Sequence, residues 1–413
     1  MAKDRLGVGF IGAGFNAQFH TRGWVTVRDA DILGYWSPDL ATAEQASALA
    51  RRLDVGAARP YRSIADMVAD PAIDAIWLAG PNHARIENLE EVVAALETGR
   101  GTLRGLACEK PLARTVAEAE RMLELVARVQ LPTAYLENQV FSPQVEVGHT
   151  LLWGRGAAAT GRPYLARAAE EHSGPHAPWF WQGQLQGGGV LNDMMCHSVL
   201  LVRHLLTRPG APLATVQPRR ITGHIASLKW SLPDYAARLS QRMGAAVDYA
   251  RLPAEDFASM VVEFEGEDGQ RLIGEASTSW SYVGPGLRLS AELLGPEYSM
   301  SWNTLESGLK LFFSREVSGA AGEDLVEKQN AEIGLMPVVA NEAAAYGYEA
   351  EDRHFVRVFL GLEPARLTFQ DGYEVVQLLM TAYQSAELGR TLDFPPPALE
   401  MFVPAVARGA WRP

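Results

Sequence analysis

"VGFIGAGFNAQF", residues 8–19, decides the reading of this chain. An apolar strand over residues 6–11 runs into Gly12-Ala13-Gly14-Phe15-Asn16-Ala17, a G-x-G-x-x-A turn that opens a helix over residues 16–27. Glycines placed between a strand and a helix in this way are the setting in which such a turn serves a dinucleotide. Gly12 permits the tight turn, Gly14 lets the backbone approach a pyrophosphate, and Ala17 is small enough for close helix–strand packing. The helix N-terminus then faces the phosphates, which makes Gly12, Gly14, Phe15 and Asn16 candidate cofactor contacts. A glycine-rich turn with no ligand is the alternative, and the β-α units downstream weigh against it.

Those units follow at short intervals. Strands are expected over residues 32–36, 73–79, 103–108 and 133–136, with helices over 41–53, 86–96 and 116–129. Repeated β-α units of this length imply a doubly wound parallel sheet. After about Asn138 the pattern changes. A helix begins near Gly189, and "FASMVVEFEGEDGQRLIGEASTSW" (residues 257–280) sets two alternating runs around Glu267-Asp268-Gly269, a hairpin signal. "LRLSAELLGPEYSMSW" (residues 287–302) continues in that style, and helices return over 350–360 and 373–388. At 413 residues the chain exceeds what one core usually supports. The expected fold is α/β: an N-terminal Rossmann doubly wound parallel sheet over residues 1–136, and a C-terminal α+β domain with an open, largely antiparallel sheet over 137–413, the helices at 350–390 packing back on the first domain. Residues 318–337 read as a mobile loop.

Composition excludes some classes. A net charge of −12 and a pI near 5.3 argue against nucleic acid or an anionic membrane as main partner. Two cysteines, Cys108 and Cys196, make no disulfide framework. The N-terminus lacks the apolar core of a signal peptide, and no apolar run is long enough to cross a bilayer. A cytoplasmic protein is expected.

Three further stretches carry chemistry. In "ILGYWSPDL" the place of the ribose-binding acid falls on Ser37, with Asp39 two residues on. Serine does not exclude a 2′-phosphate, but no arginine follows to pair with one, so NAD is favoured and NADP stays open. "LACEKPLARTVAEAE" sets Glu109-Lys110-Pro111 at the end of a strand, where doubly wound sheets bind ligands, so Lys110 points at the cleft; a surface lysine is the plain alternative. "GGGVLNDMMCHSVLLVRHLL" (residues 187–206) places Asp193 and His197 four apart, on one face of a helix. Its three glycines let the backbone turn sharply and approach a ligand. Imidazole suits proton transfer near neutral pH. The plain reading is a core histidine with an aspartate near the helix N-terminus. A zinc site is rejected, because no third ligand is evident from spacing.

Together the glycine turn, Glu109-Lys110-Pro111 and "GGGVLNDMMCHS" resemble the Gfo/Idh/MocA (glucose–fructose oxidoreductase/inositol dehydrogenase) family of NAD(P)-dependent oxidoreductases. The resemblance spans nearly the whole chain and includes "SAELGRTLDFP" near the end. It implies that Lys110 lies near nicotinamide and substrate, that Asp193 and His197 are the family's D-x-x-x-H pair, and that "AGPNHA" brings Pro81, Asn82 and His83, with Glu109, to the cofactor pocket. Met195 and Leu200 depart from the family, which often has glycine and an acid there. On this reading His197 is the general base in oxidation, Lys110 stabilises the alkoxide, and Asp193 orients the hydroxyl or the imidazole, all three meeting at one carbon–oxygen bond.

"EEHSGPHAPWFWQGQLQ" (residues 170–186) holds His172, His176, Trp179 and Trp181 as candidates for a sugar ring, with core packing an equal alternative, and Asn138 adds a polar contact. The expected substrate is a small polyhydroxylated molecule, a sugar, cyclitol or glycoside. The open sheet's free face is expected to be apolar and to drive a homodimer or homotetramer. Two other functions stay in view: a redox-neutral glycoside-cleaving enzyme with bound NAD, and a nucleotide-binding sensor without turnover.

Overall fold

The computed structural model describes residues 5–244, 248–284, 286–306, 310–313, 334–337, 339 and 341–412. The chain divides into two compact units: residues 1–142 with 346–374, and residues 143–345 with 375–413.

In the first unit, β1 (Leu6–Ile11), β2 (Ala30–Trp36), β3 (Arg59–Tyr61), β4 (Ala75–Leu78), β5 (Gly105–Glu109) and β6 (Thr133–Leu136) form one parallel sheet in the order β3-β2-β1-β4-β5-β6. Strands β1, β4 and β5 are buried at every position. A parallel sheet covered on both faces selects such continuous apolar runs. The connecting helices are α1 (Phe15–Gly23), α2 (Leu40–Arg52), α3 (Ile64–Ala69), α4 (Arg85–Glu97) and α5 (Val116–Val129). Ser63 and Thr115 cap α3 and α5 through their hydroxyls, and Asp39 caps α2. The strand order reverses between β1 and β4, the switch point at which doubly wound sheets bind ligands. β3 and α3, both short, gave no sequence signal.

The second unit adds helices α6 (Pro143–Leu151), α7 (Ala158–Thr160), α8 (Gly183–Gln186), α9 (Val190–Leu206) and α10 (Pro233–Met243), and strands β7 (Leu165–Glu171), β8 (Val216–Ala226), β9 (Phe257–Gly266), β10 (Arg271–Ser279), β11 (Arg288–Gly295) and β12 (Tyr298–Asn303). β13 (Lys310–Phe313) pairs with β14 (Gly334–Pro337). Residues 318–333 of the expected loop lie outside the described residues, while residues 334–337 form that strand. Then come α11 (Glu342–Ala345), α12 (Tyr348–Phe359), α13 (Phe369–Leu388) and β15 (Leu392–Asp393). The seven-stranded sheet runs β12-β11-β7-β10-β9-β8-β15, antiparallel except for β10 beside β7. The β9–β10 turn falls where Glu267-Asp268-Gly269 predicted it, with Gly269 at φ +76°. α12 belongs to the first unit, and α13 divides after Glu374.

One face of this sheet packs on α9, whose residues are buried on nearly every side. The other face corrects the expectation of an apolar surface. Arg167 pairs with Glu275 at 2.6 Å and Glu292 at 3.0 Å, Arg219 with Glu265 at 2.9 Å, Arg271 with Glu263 at 2.7 Å, and Arg288 with Glu171. Arg167 and Arg288 thus face their carboxylates directly in register, while Arg219 and Arg271 reach theirs diagonally across neighbouring strands. Among the described residues, no helix is long and apolar enough to cross a membrane.

Candidate functional site

The nucleotide turn sits at the carboxyl end of β1. Gly12 has φ +104°, its N–H donates to the Trp36 carbonyl at 2.8 Å, and a Cβ there would lie 2.6 Å from the Gly80 nitrogen. Glycine is therefore required by the backbone at the end of β4, independently of any ligand. Gly14 differs. It is the N-cap of α1 at φ −76°, and a Cβ there would meet nothing within 4 Å. α1 has no side-chain cap and no acid in its first turn, so its N-terminus offers N–H groups and positive dipole toward open space. That cradle fits a pyrophosphate. Ala17 is buried, Phe15 packs its ring against Phe19 at 5.9 Å, and Asn16 is half-buried.

Around the turn, Pro81 caps a short turn, Asn82–Ala84, directly after β4; Asn82 is buried. Burial, then the nearby Arg114 guanidinium, hold the His83 imidazole below its usual pKa, so it is neutral at pH 7. Ser37 follows the last residue of β2. Asp39 is exposed and its carboxylate accepts from Ala41 N at 3.2 Å and Thr42 Oγ1 at 2.6 Å. Its side chain is the cap of α2.

Glu109 ends β5. Its carboxylate does not reach outward as a cofactor contact would: Oε1 lies 2.7 Å from His20 Nε2, and Oε2 accepts from Lys110 N at 3.1 Å. Lys110, half-buried, precedes Pro111 across a cis peptide bond. The buried Arg85, which opens α4, ties the neighbouring loops together. Its guanidinium donates to the Gly80 carbonyl at 3.3 Å, the Lys110 carbonyl at 3.0 Å and the Pro111 carbonyl. Reading by motif passed over both His20 and Arg85, since each lies outside the tripeptides that attract attention. In this unit the structure thus brings Gly12, Gly14, Pro81 and Lys110 to the carboxyl ends of the adjacent strands β1, β4 and β5.

The second unit holds Asp193 in the first turn of α9 and His197 one turn on, both buried at 4% and 3% exposure. Of the preceding glycines, Gly188 and Gly189 are required by protein packing. A Cβ at Gly188, at φ +157°, would overlap the Tyr383 hydroxyl, and one at Gly189 would lie 2.5 Å from the Glu255 carboxylate. Glycine is needed at both positions because α13 and Glu255 approach. Glu255 Oε1 accepts from Gly189 N at 3.0 Å, Leu191 N at 3.1 Å and the Tyr383 hydroxyl, while that hydroxyl accepts from Gly189 N and Asn192 N. Burial raises the Glu255 carboxyl to about 7, against the lowering pull of these donors.

One acid was not anticipated. Glu170 Oε2 lies 3.8 Å from His197 Nε2, both side chains being buried. The signal was present: Ala166, Ala168 and Glu170 are the core-facing positions of β7, and a glutamate where alternation calls for an apolar residue needs a partner.

The aromatic segment divides. Trp181, at 2% exposure, is enclosed by Trp230 at 5.5 Å, Trp280 at 4.9 Å and Tyr249 at 6.2 Å. It is core packing, which corrects its assignment as a sugar platform. Trp179 stacks on Phe180 at 3.8 Å and stays half-buried, and His176 is exposed. His172 is buried, with Nδ1 accepting from Gly174 N at 3.0 Å. Asn138 donates its amide to the Tyr346 carbonyl at 2.8 Å, inside the first unit.

A dinucleotide-type turn on a doubly wound parallel sheet, joined in one chain to a mixed open sheet with a buried Asp/His pair, defines a Rossmann oxidoreductase class. Residues 6–135 match the model described as oxidoreductase family, NAD-binding Rossmann fold, and residues 157–300 match the GFO/IDH/MocA C-terminal domain. The chain belongs to the GFO/IDH/MocA family of oxidoreductases, and its first unit is that family's NAD-binding domain. It is similar to levoglucosan dehydrogenase of Pseudarthrobacter phenanthrenivorans, 29% identical over 52% of this chain and 56% of the relative. It is also similar to 1,5-anhydro-D-fructose reductase of Ensifer adhaerens, 28% identical over 50% of this chain and 59% of the relative. The chain thus spans less than two thirds of the length of these curated relatives. Among solved structures, GenD2 from gentamicin A biosynthesis in complex with NAD superposes with TM-score 0.73 at 26% identity, covering 95% of this chain and 97% of that one.

Proposed function

We propose that this chain is an NAD-dependent oxidoreductase that exchanges a hydride between nicotinamide and a ring carbinol of a sugar, cyclitol or glycoside. The observation that carries the proposal is Gly14: the backbone permits a side chain there, no protein atom occupies the space, and the uncapped α1 N-terminus faces it. Relatives named as sugar dehydrogenases and reductases support the substrate class.

Bound NAD supplies the hydride acceptor. Ser37, Pro81, Asn82 and the turn at Gly12–Gly14 hold the dinucleotide, and absence of an acid beyond the capping Asp39 leaves NADP as a second candidate. His197 takes the hydroxyl proton in oxidation and returns it in reduction, and Glu170 beside it favours the imidazolium that forms. Lys110 hydrogen-bonds the carbinol oxygen and stabilises its developing negative charge. Asp193 orients the hydroxyl. Within the aromatic segment, the exposed His176 and the half-buried Trp179 meet the substrate ring.

A panel of sugars, inositols and glycosides, read as reduced nicotinamide at 340 nm with NAD and with NADP, tests the proposal. Turnover is expected, and His197→Ala should lower it by ~10²–10⁴ with NADH affinity unchanged. Aglycone release from a chromogenic glycoside without net NADH would redirect the assignment to redox-neutral cleavage. NADH binding with silence across the panel would favour a sensor.

A further inference from the structure

Helix α1 carries a buried imidazole that the proposed chemistry leaves without a role. His20 has no exposed surface; its Nδ1 lies 3.0 Å from both oxygens of Asp352 on α12, and its Nε2 lies 2.7 Å from Glu109 on β5. A neutral imidazole has one N–H and one lone pair, so it cannot donate to two carboxylates at once. The imidazolium can. Burial opposes that charge, but Asp352 and Glu109 outweigh it and hold the ring well above its ordinary pKa. Trp77 Nε1 donates to Asp352 at 3.2 Å, and the Tyr348 ring meets His20 edge-on at 5.0 Å. The adjacent Glu351 is also fully buried, with neither oxygen hydrogen-bonded. Burial first, with Glu109, Asp352 and Glu137, pushes its carboxyl well above the usual range against the lowering pull of His20. His20, Glu351 and Asp352 bring ligand-type atoms within 4.8 Å of one another, yet both imidazole nitrogens already face carboxylates, which leaves no lone pair for a metal ion.

The cluster reaches the end of β5 through Glu109. Glu109 gives one oxygen to His20 and the other to the backbone N–H of Lys110. We propose that His20 is a positioning residue for Lys110: the charged ring, braced by Asp352, locks the Glu109 carboxylate, which fixes the backbone from which Lys110 leaves β5. This rests on the role given to Lys110 above. It also ties that strand end to α1, the helix whose N-terminus holds the pyrophosphate. Glu351, which touches no hydrogen-bonding partner, lies outside this line of transmission.

The test uses the full chain with its five lysines carrying ¹³C-dimethyl groups, read by NMR, beside steady-state kinetics and NADH binding. Lys110 is assigned by its loss in Lys110→Arg. In His20→Gln, kcat should fall about 10- to 100-fold, the cost of a small misplacement of a reacting group, with NADH Kd within about twofold of wild type. The Lys110 resonance should shift or change its titration while the other four stay put. Asp352→Asn should act in the same direction, and serves if His20→Gln does not fold. Glu351→Gln should leave kcat and the Lys110 resonance at wild type. An unmoved Lys110 resonance in folded His20→Gln or Asp352→Asn overturns the proposal, whether or not kcat falls. If the wild type turns over no substrate, the oxidoreductase assignment fails, and the resonance still decides the positioning role.

Discussion

Replacing Gly12 and Gly14 by alanine, one at a time, separates a glycine demanded by the fold from one demanded by a ligand. At Gly12 the new Cβ meets backbone, 2.6 Å from Gly80 N and 2.7 Å from the Ala79 carbonyl carbon, and φ is +104°. A positive φ costs an L-residue ~1–2 kcal/mol. Overpacking against atoms that cannot rotate away adds ~1–3 kcal/mol, for a total of about 2–5 kcal/mol. At about 2–4 °C per kcal/mol that is a melting point lower by roughly 4–20 °C. At Gly14 φ is −76° and the Cβ meets nothing, so the stability loss is confined to the poorer N-cap, about 1 kcal/mol or less. On the proposed assignment of that space to the pyrophosphate, the same methyl meets the cofactor. An overlap of ~1–3 kcal/mol against it weakens NADH binding about 5- to 150-fold. Thermal unfolding of each apo variant and NADH fluorescence titration give both numbers. If Gly14→Ala binds NADH as wild type does, or melts as low as Gly12→Ala, the assignment of that space to the dinucleotide is wrong.

Three further outcomes are expected. Glu255 keeps a proton in the folded state up to about pH 7 that the unfolded chain releases near 4.5, so wild-type stability should fall as pH rises between those values, by about 3 kcal/mol for about 2.5 pK units. Urea midpoints across pH 5–8 should flatten in Glu255→Gln, and an unchanged slope would show that Glu255 is not the group responsible. Arg85→Ala strands the carbonyls of Gly80, Lys110 and Pro111 and should cost about 2–4 kcal/mol in urea unfolding, with little rescue by lysine, whose single ammonium cannot serve all three. Trp181→Ala should lower stability by about 3–5 kcal/mol in thermal unfolding, as loss of a core aromatic does; a raised KM for substrate at wild-type stability would instead restore its place as a sugar contact.

What could be read without coordinates was whatever short-range chemistry dictates. The turn at Gly12 and Gly14, the continuous apolar strands and the β9–β10 hairpin each follow from a handful of neighbouring residues, because φ restrictions and side-chain periodicity act locally. Lys110 just beyond β5, and Asp193 and His197 one turn apart on α9, lie where their motifs put them along the chain. Tertiary structure decided what those residues touch. It made Glu109 an inward-facing brace for His20, gave the glycines before α9 to Tyr383 and Glu255, closed Trp181 into the core, and lined the open sheet with ion pairs rather than apolar side chains. Those partners lie tens to hundreds of residues away in sequence, and only packing, which no local rule encodes, brings them within a hydrogen bond's length.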